Sequence, residues 1–238
     1  PQDTEPTTPV TTAYLYGNKD DVISQTGSSA FDYTPIPTRE DYNYLGYNTS
    51  STATTPNTPT KFPASSTTYY AVWGKSPYVV KSDGGATLTF IYGAQPEGDE
   101  GNNWWSIDDS YISQPEWITT TVQYIVFDQS FAGYKPTSTA HWFESGGAIR
   151  NIEGLSNLDT SAVTNMEKMF YGCSALTNLT LPISFDTSSV EIMKSMFKGC
   201  IDLTSISLSA NFDTSSVESM DSMFSVCSAL ASLDLSHF

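Results

Sequence analysis

A 27-residue word written three times constrains this chain more than any other feature. Asp159, Asp186 and Asp213 are 27 apart, and so are Met166, Met193 and Met220. Phe170, Phe197 and Phe224 keep the same interval, as do Cys173, Cys200 and Cys227. The apolar skeleton runs further upstream than the obvious words. Met169-Phe170 steps back to Trp142-Phe143, and Leu176 and Leu179 step back to Ile149 and Ile152, then to Val122 and Ile125. Phe185 steps back to Leu158 and Phe131. One such unit cannot bury its apolar face alone, so neighbours stack. The interval predicts about four stacked turns over residues 122–238.

Within a unit, Val190, Met193, Met196 and Phe197 fall on one face of a short helix. Ser188 with Glu191, and Ser215 with Glu218, have the spacing of a capping box. Gly199 stands where a left-handed C-cap belongs. Leu203, Ile206 and Leu208 then read as a short strand with its apolar side inward. The expected fold class is α/β: a right-handed solenoid of helix–strand repeats whose strands form a parallel ladder. After Leu233-Asp234-Leu235 no polar cap is visible, so the last turn is expected to expose a strand edge. Such an edge invites end-to-end self-association, or further turns in a longer array.

The remaining segments divide by composition. Residues 1–9 are rich in Pro and Thr and read as a linker. The polar start Pro1-Gln2-Asp3-Thr4 lacks the features of a signal peptide and suggests a chain that begins and ends inside a longer protein. Residues 10–74 alternate Tyr, Val and Thr with turn residues, the pattern of a small all-β module. Pro56, Pro59 and Pro63 mark a loop before a strand at Thr68–Trp73. Residues 75–121 read as a β-rich cap on the first turn, with a strand at Leu88–Tyr92, an acidic loop Glu97–Asn103 and the aromatic residues Trp104, Trp105, Tyr111 and Trp117.

Charge excludes whole classes of partner. The chain carries 26 acidic against 10 basic residues, a net charge of −16, and only Arg39 and Arg150 are arginines. Nucleic acid requires clustered Lys and Arg, and an anionic membrane surface requires the same. No apolar run approaches the roughly 18 residues of a membrane span.

The residues that carry chemistry elsewhere are sparse here. The three cysteines share one phase of the repeat, which reads as a buried ladder of small apolar side chains; a bridge between neighbouring turns is the alternative. Zinc needs more ligands than His141 and His237 supply. Asp159, Asp186 and Asp213 stack, which suggests either bound calcium or carboxylates that accept bonds from the amides just after them. The loop Asp99-Glu100-Gly101-Asn102-Asn103 lacks calcium-loop spacing and reads as a solvated turn. There is no G-x-S-x-G, neither histidine has a Ser or Cys and an acid at recognisable spacing, and adjacent acids such as Asp108-Asp109 diverge. The chain reads as a non-enzyme with no cofactor and no metal.

Two surfaces remain as candidate contact sites. Trp104, Trp105 and Trp117 form either a sugar-stacking platform or a plug on the first turn. The outward columns of the strand ladder read Arg150, Thr177, Thr204, Ala231, then Asn151, Asn178, Ser205, Ser232, then Glu153, Thr180, Ser207, Asp234. The candidate ligand contacts are therefore Trp104, Trp105, Trp117, Tyr124, Arg150, Asn151, Glu153 and Asn178.

The words "DTSSVESMDSMF", "MFYGCSALTNLTL" and "NIEGLSNLDTSAVTNMEKMF", with the lead-in "ATLTFIYG" and "VFDQSFAGYKPTSTAHWF", resemble the repeats of BspA-like bacterial surface proteins over residues 86–238. The stretch "PTREDYNYLGYNTSSTATT" with "TTYYAVWGK" resembles the Listeria–Bacteroides (internalin B-repeat-type) module, a β-grasp-like unit. Here Asp41 and Tyr47 replace the Gly and Trp usual in that module. The resemblance implies a leucine-rich-repeat-like solenoid and an extracellular, cell-surface protein of a host-associated bacterium. It implies adhesion to a host matrix or bacterial surface protein. The alternatives are a structural spacer, and a glycan-binding region built on Trp104, Trp105 and Trp117.

Overall fold

The computed structural model describes residues 11–16, 22–27, 43–48, 56, 67–96, 100–107, 109–110, 113–234 and 236. Contacts divide the chain into residues 1–76 with 93–95, and residues 77–92 with 96–238. The linker at 1–9 and the loop prolines Pro59 and Pro63 lie outside the described residues. So do Arg39, Asp41, Asp99, Asp108, Tyr111, His237 and Phe238.

The first part is a four-stranded sheet of β1 (Thr11–Tyr16), β2 (Val22–Gly27), β3 (Asn43–Asn48) and β4 (Thr67–Gly74), in the order β2-β1-β4-β3. β1 runs antiparallel to β2 and parallel to β4, while β3 runs antiparallel to β4 with a register shift between Tyr44 and Gly46. Tyr47 is fully buried. Asn43 ties the sheet's end by donating to Ser76 Oγ at 3.1 Å and accepting from the Gln95 amide at 2.9 Å.

The second part opens on a five-stranded sheet. Its strands are β5 (Ser76–Ser82), β6 (Thr87–Gly93), β7 (Trp104–Ser106), β8 (Tyr124–Phe127) and β9 (Asn151–Glu153), in the order β7-β5-β6-β8-β9. Alternation along β6 and β8 buries Leu88, Phe90, Ile125 and Phe127 on one face. Phe90 is the hub of the core. Its ring stacks on Phe127 at 4.7 Å and on Trp142 at 5.5 Å, and meets Phe131 edge-on at 5.8 Å. Such pairs contribute about 0.5–1.5 kcal/mol each beyond the area they bury.

Downstream, the expected helix–strand repeat is not what the chain forms. No α-helix occurs among the described residues, and the short helical pieces at Asp83–Gly85, Gln129–Gly133 and Leu155–Asn157 are 3-10 turns. The fold is mostly β, so the α/β class and the right-handed solenoid of helix–strand repeats are both corrected. The strand ladder is also discontinuous. β10 (Asn178–Thr180) and β11 (Ser205–Ser207) make a separate two-stranded parallel sheet that does not join β9.

Backbone hydrogen bonding explains why the helical spacing produces no helix. The amides of Met166, Lys168, Phe170 and Gly172 donate to the carbonyls of Ile192, Lys194, Met196 and Lys198, at 2.8 to 3.0 Å. Each acceptor lies 26 positions on. The intervening Met169, Tyr171 and Cys173 amides close tight turns onto Met166, Lys168 and Phe170. An amide given to the next unit is not available to the carbonyl four residues back that a helix needs. Lys168, Ser195 and Ser222 accordingly take φ of +55°, +55° and +58°, which no right-handed helix contains. The apolar side chains still reach one core, because this wall of turns repeats with nearly the same inward spacing.

The capping boxes are replaced too. Asp159, Asp186 and Asp213 accept from the amides of Ser161, Ser188 and Ser215 at 3.0, 2.9 and 2.8 Å. The Glu191 amide goes instead to the Thr164 carbonyl at 2.8 Å. Between the aspartates, Thr160 and Thr187 are fully buried and donate to the Asp186 and Asp213 carbonyls, each at 2.8 Å.

Gly172 and Gly199 stand at φ +69° and +79°, and Val226 repeats that backbone at φ +63° with its side chain 61% exposed. A branched side chain there is strained by about 1–2 kcal/mol, against about 0.5–1 kcal/mol of extra backbone entropy for glycine. Val226→Gly is expected to stabilise the protein by up to about 1 kcal/mol in urea unfolding; a loss of stability would show that the valine is not strained.

The cysteines are free, with Cys173 and Cys200 buried and Cys227 only half-buried. Each thiol donates to the phenylalanine carbonyl of the preceding unit: Phe143 at 3.4 Å, Phe170 at 3.2 Å and Phe197 at 3.1 Å. Burial pushes the Cys200 thiol up to about 12. In native protein only Cys227 is expected to react readily with Ellman's reagent, and all three after unfolding. Fewer than three in denaturant would reveal a bridge. Because the folded thiol titrates above its unfolded value of about 8.5, the stability it carries is complete below that pH. It erodes as pH rises from there toward 12.

Candidate binding surface

Of the residues singled out from sequence, four come together. β8 and β9 pair in parallel with Tyr124 opposite Asn151 and Val126 opposite Glu153. The Arg150 amide is fixed to the Gln123 carbonyl at 2.9 Å. With Ile125 buried behind them, Tyr124, Asn151 and Glu153 project to solvent, and Tyr124 is 44% exposed. Asn151 Nδ2 donates to Glu153 Oε1 at 2.8 Å, which holds this polar pair beside the tyrosine. Arg150 is exposed next to them. The result is one aromatic ring, one guanidinium and one amide–carboxylate pair on a rigid parallel ladder.

Asn178 lies apart from that group. It sits on β10, where its Oδ1 accepts from Ser205 Oγ at 2.6 Å and its Nδ2 donates to Thr177 Oγ1 at 3.1 Å. Its amide is spent on the two-stranded sheet.

Trp104, Trp105 and Trp117 are 7%, 7% and 1% exposed, so they form no open stacking platform. Trp104 meets Tyr78 edge-on at 6.2 Å, and the Lys81 ammonium lies 5.0 Å from the centre of the Trp105 ring. Trp117 packs edge-on against Phe90 at 6.3 Å and donates its Nε1 to the Trp142 carbonyl at 3.2 Å. Trp142 belongs to the first stacked unit, whose carbonyls point toward the preceding segment. The indole therefore satisfies an acceptor that no earlier unit serves.

The titratable groups that the chain does bring together are committed to one another. His141 Nδ1 lies 2.6 Å from Glu144 Oε2, and Lys168 Nζ lies 3.1 Å from Glu144 Oε1. Burial pushes the Glu144 carboxyl up, but the bonds from His141 and Lys168 outweigh it and hold it below the usual range. Lys135 Nζ reaches Asp159 at 2.7 Å, so an ammonium occupies the place beside the first stacked aspartate. Among the described residues no group of three or more His, Cys, Asp or Glu is placed to hold a metal ion. Asp109 accepts from Tyr134 Oη at 2.9 Å and from the Thr137 amide and hydroxyl at 2.7 Å each. Sequence reading missed the Glu144 and Asp109 clusters, because each joins residues from different stretches with no repeated word to announce them.

Residues 137–238 match a family described as "Mycoplasma protein of unknown function, DUF285". No curated protein and no solved structure matches the chain. The matched family, together with the absence of helix–strand units among the described residues, overturns the resemblance to BspA-like leucine-rich repeats, and no comparison supports the internalin-type module at residues 10–74. The repeat words are similar to a family of unknown function, and they fold without helix–strand units.

Proposed function

We propose that this chain is a non-catalytic binding module of an extracellular bacterial surface protein, engaging a protein partner through the outer face of β8 and β9. The observation that carries the reading is Tyr124, 44% exposed on a rigid strand beside Arg150, Asn151 and Glu153. Tyr and Arg dominate protein–protein hot spots when they are seated on a scaffold that loses little freedom on binding. The low Lys and Arg content supports a protein partner over nucleic acid. No helix among the described residues is long and apolar enough to cross a membrane. The bacterial setting is supported by the description of the matched family, which names Mycoplasma.

The test is surface binding of the full chain to immobilised host matrix and bacterial surface proteins. Tyr124→Ala and Arg150→Ala are each expected to weaken binding by about tenfold to a hundredfold, with Asn178→Ala unchanged. A partner held equally well by both variants would sink the reading. A panel with no partner would favour the structural spacer.

A further inference from the structure

The parallel ladder is interrupted between the first and second units. β9 ends the five-stranded sheet, β10 begins the two-stranded one, and no backbone hydrogen bond joins them. Most of their Cα atoms stand more than 8 Å apart, where neighbouring strands lie about 4.8 Å apart. Yet the same two units are joined on their other sides. Phe143 donates its amide to the Met169 carbonyl at 2.9 Å on the wall of turns, and Thr164 donates its amide to the Thr137 carbonyl at 2.9 Å. The units therefore splay on the strand side alone. The packing beneath follows the same splay. The Phe143 and Phe170 rings are tilted by 32°, against 5° and 8° for the next two pairs. Ile152 is only half-buried, although Ile125 and Leu179, one unit to either side in the same column, are buried.

The open edges of both strands face this gap. Asn151 gives its amide to the Gln123 carbonyl behind it at 3.4 Å, so alternation turns the N–H and C=O of Ile152 forward. Leu181 gives its amide to the Ser207 carbonyl ahead of it at 2.9 Å, so those of Asn178 and Thr180 turn back. Each edge presents donors and acceptors by turns, which is what another extended backbone answers. A helix has no backbone groups to offer them. A strand seated between two others holds them about 9.6 Å apart, so a separation beyond 8 Å is that of a ladder with one strand left out. An apolar side chain on such a strand would cover Ile152. The residues on either side of it would point outward beside Glu153 and Asn178, where a hydroxyl or amide fits and a carboxylate is repelled.

We propose that the protein partner enters this gap with a short extended segment, adding a strand between β9 and β10, with an apolar residue toward the core flanked by Ser, Thr or Asn. This rests on the reading of the β8–β9 face as a protein-binding surface, and specifies how the partner is held.

The probe is fluorescein-labelled Thr-Asn-Leu-Thr-Leu, the sequence of residues 177–181 and so of the ladder itself, added to the full 238-residue chain. Anisotropy is expected to show saturable binding, and hydrogen exchange followed by NMR should slow at the Ile152, Asn178 and Thr180 amides. The same peptide with alternate amides N-methylated keeps its side chains and leaves the protein untouched; it should bind at least about tenfold more weakly. Ile152→Ala should weaken the peptide roughly fivefold to tenfold, with urea unfolding to check that the variant folds; if it does not, the N-methylated peptide decides. The peptide requires no partner panel, so an empty panel and a peptide that does not bind are separate failures. The proposal is overturned if the peptide does not saturate, or if N-methylation leaves its affinity unchanged. Protection at Ser222 and Val226 instead would seat the peptide at the far end of the repeats and overturn it too. A chain that dimerises, and that the peptide returns to monomer, would identify a second copy as the occupant and overturn a separate partner.

Discussion

Phe197→Ala is expected to lower the free energy of unfolding by about 3–5 kcal/mol, the largest loss from any single truncation in the repeats. The Phe197 ring is fully buried between Phe170, at 5.4 Å and 5° interplanar angle, and Phe224, at 5.3 Å and 8°. Removing it opens a void shared by three units, and the inter-unit hydrogen bonds on either side resist collapse into it. Against a total of roughly 5–15 kcal/mol for an ordinary domain, that is a substantial share. Urea unfolding followed by circular dichroism measures it. Phe197→Leu, which refills most of the volume, should lose less than about 1.5 kcal/mol. If alanine lost less than leucine is expected to, the rings would not form a packed column.

Gly154→Ala should come next, at about 2–5 kcal/mol. Gly154 follows β9 at φ +67°, and a Cβ there would sit 2.2 Å from the Phe127 carbonyl oxygen. The left-handed backbone costs an alanine about 1–2 kcal/mol, and the clash adds about 1–3 kcal/mol by forcing β9 away from β8. Gly84 separates the two contributions. Its φ is +65°, but nothing lies within 4 Å of its missing Cβ. Gly84→Ala should therefore show the backbone strain alone. Equal losses at the two glycines in thermal and urea unfolding would mean that β9 does not press on the Phe127 carbonyl. The clash also predicts a functional effect, since Asn151 and Glu153 move with β9: Gly154→Ala should weaken partner binding where Gly84→Ala does not.

Much of the interior was legible because it repeats. The 27-residue interval identified Phe143, Phe170 and Phe197, together with Cys173 and Cys200, as one buried column each, and all five are fully buried. The interval also marked the aspartates that accept from the next serine amides. What it hid was the backbone. Val190, Met193, Met196 and Phe197 have helical spacing, yet spacing reports only which side chains share a face. It does not report where the amides between them go. The left-handed turns at Lys168 and Ser195 carry no glycine to betray them, and the amide of Met166 gives no sequence sign that its acceptor is Ile192. The face that carries Tyr124 and Arg150 was half legible. Arg150, Asn151, Asn178 and Glu153 were readable as outward columns, but the break between β9 and β10 separates Asn178 from the rest.

The turn wall has an electrical consequence. In a sheet, strand dipoles largely cancel. Here the amides of His141 and Phe143, then Lys168 and Phe170, then Ser195 and Phe197, all point from one unit toward the next, and the accepting carbonyls point back. Peptide dipoles aligned head to tail in a helix sum to about half a positive charge at the end where the N–H groups point. The same alignment across stacked units places the positive pole on the fourth unit, whose Ser222 and Val226 amides have no later unit among the described residues. That unit, residues 213–238, contains Asp213, Glu218, Asp221 and Asp234 and no lysine or arginine. Lys135 and Arg150 lie in the first unit, at the opposite pole. The uneven distribution of charge along the repeats thus opposes the field of their own backbone.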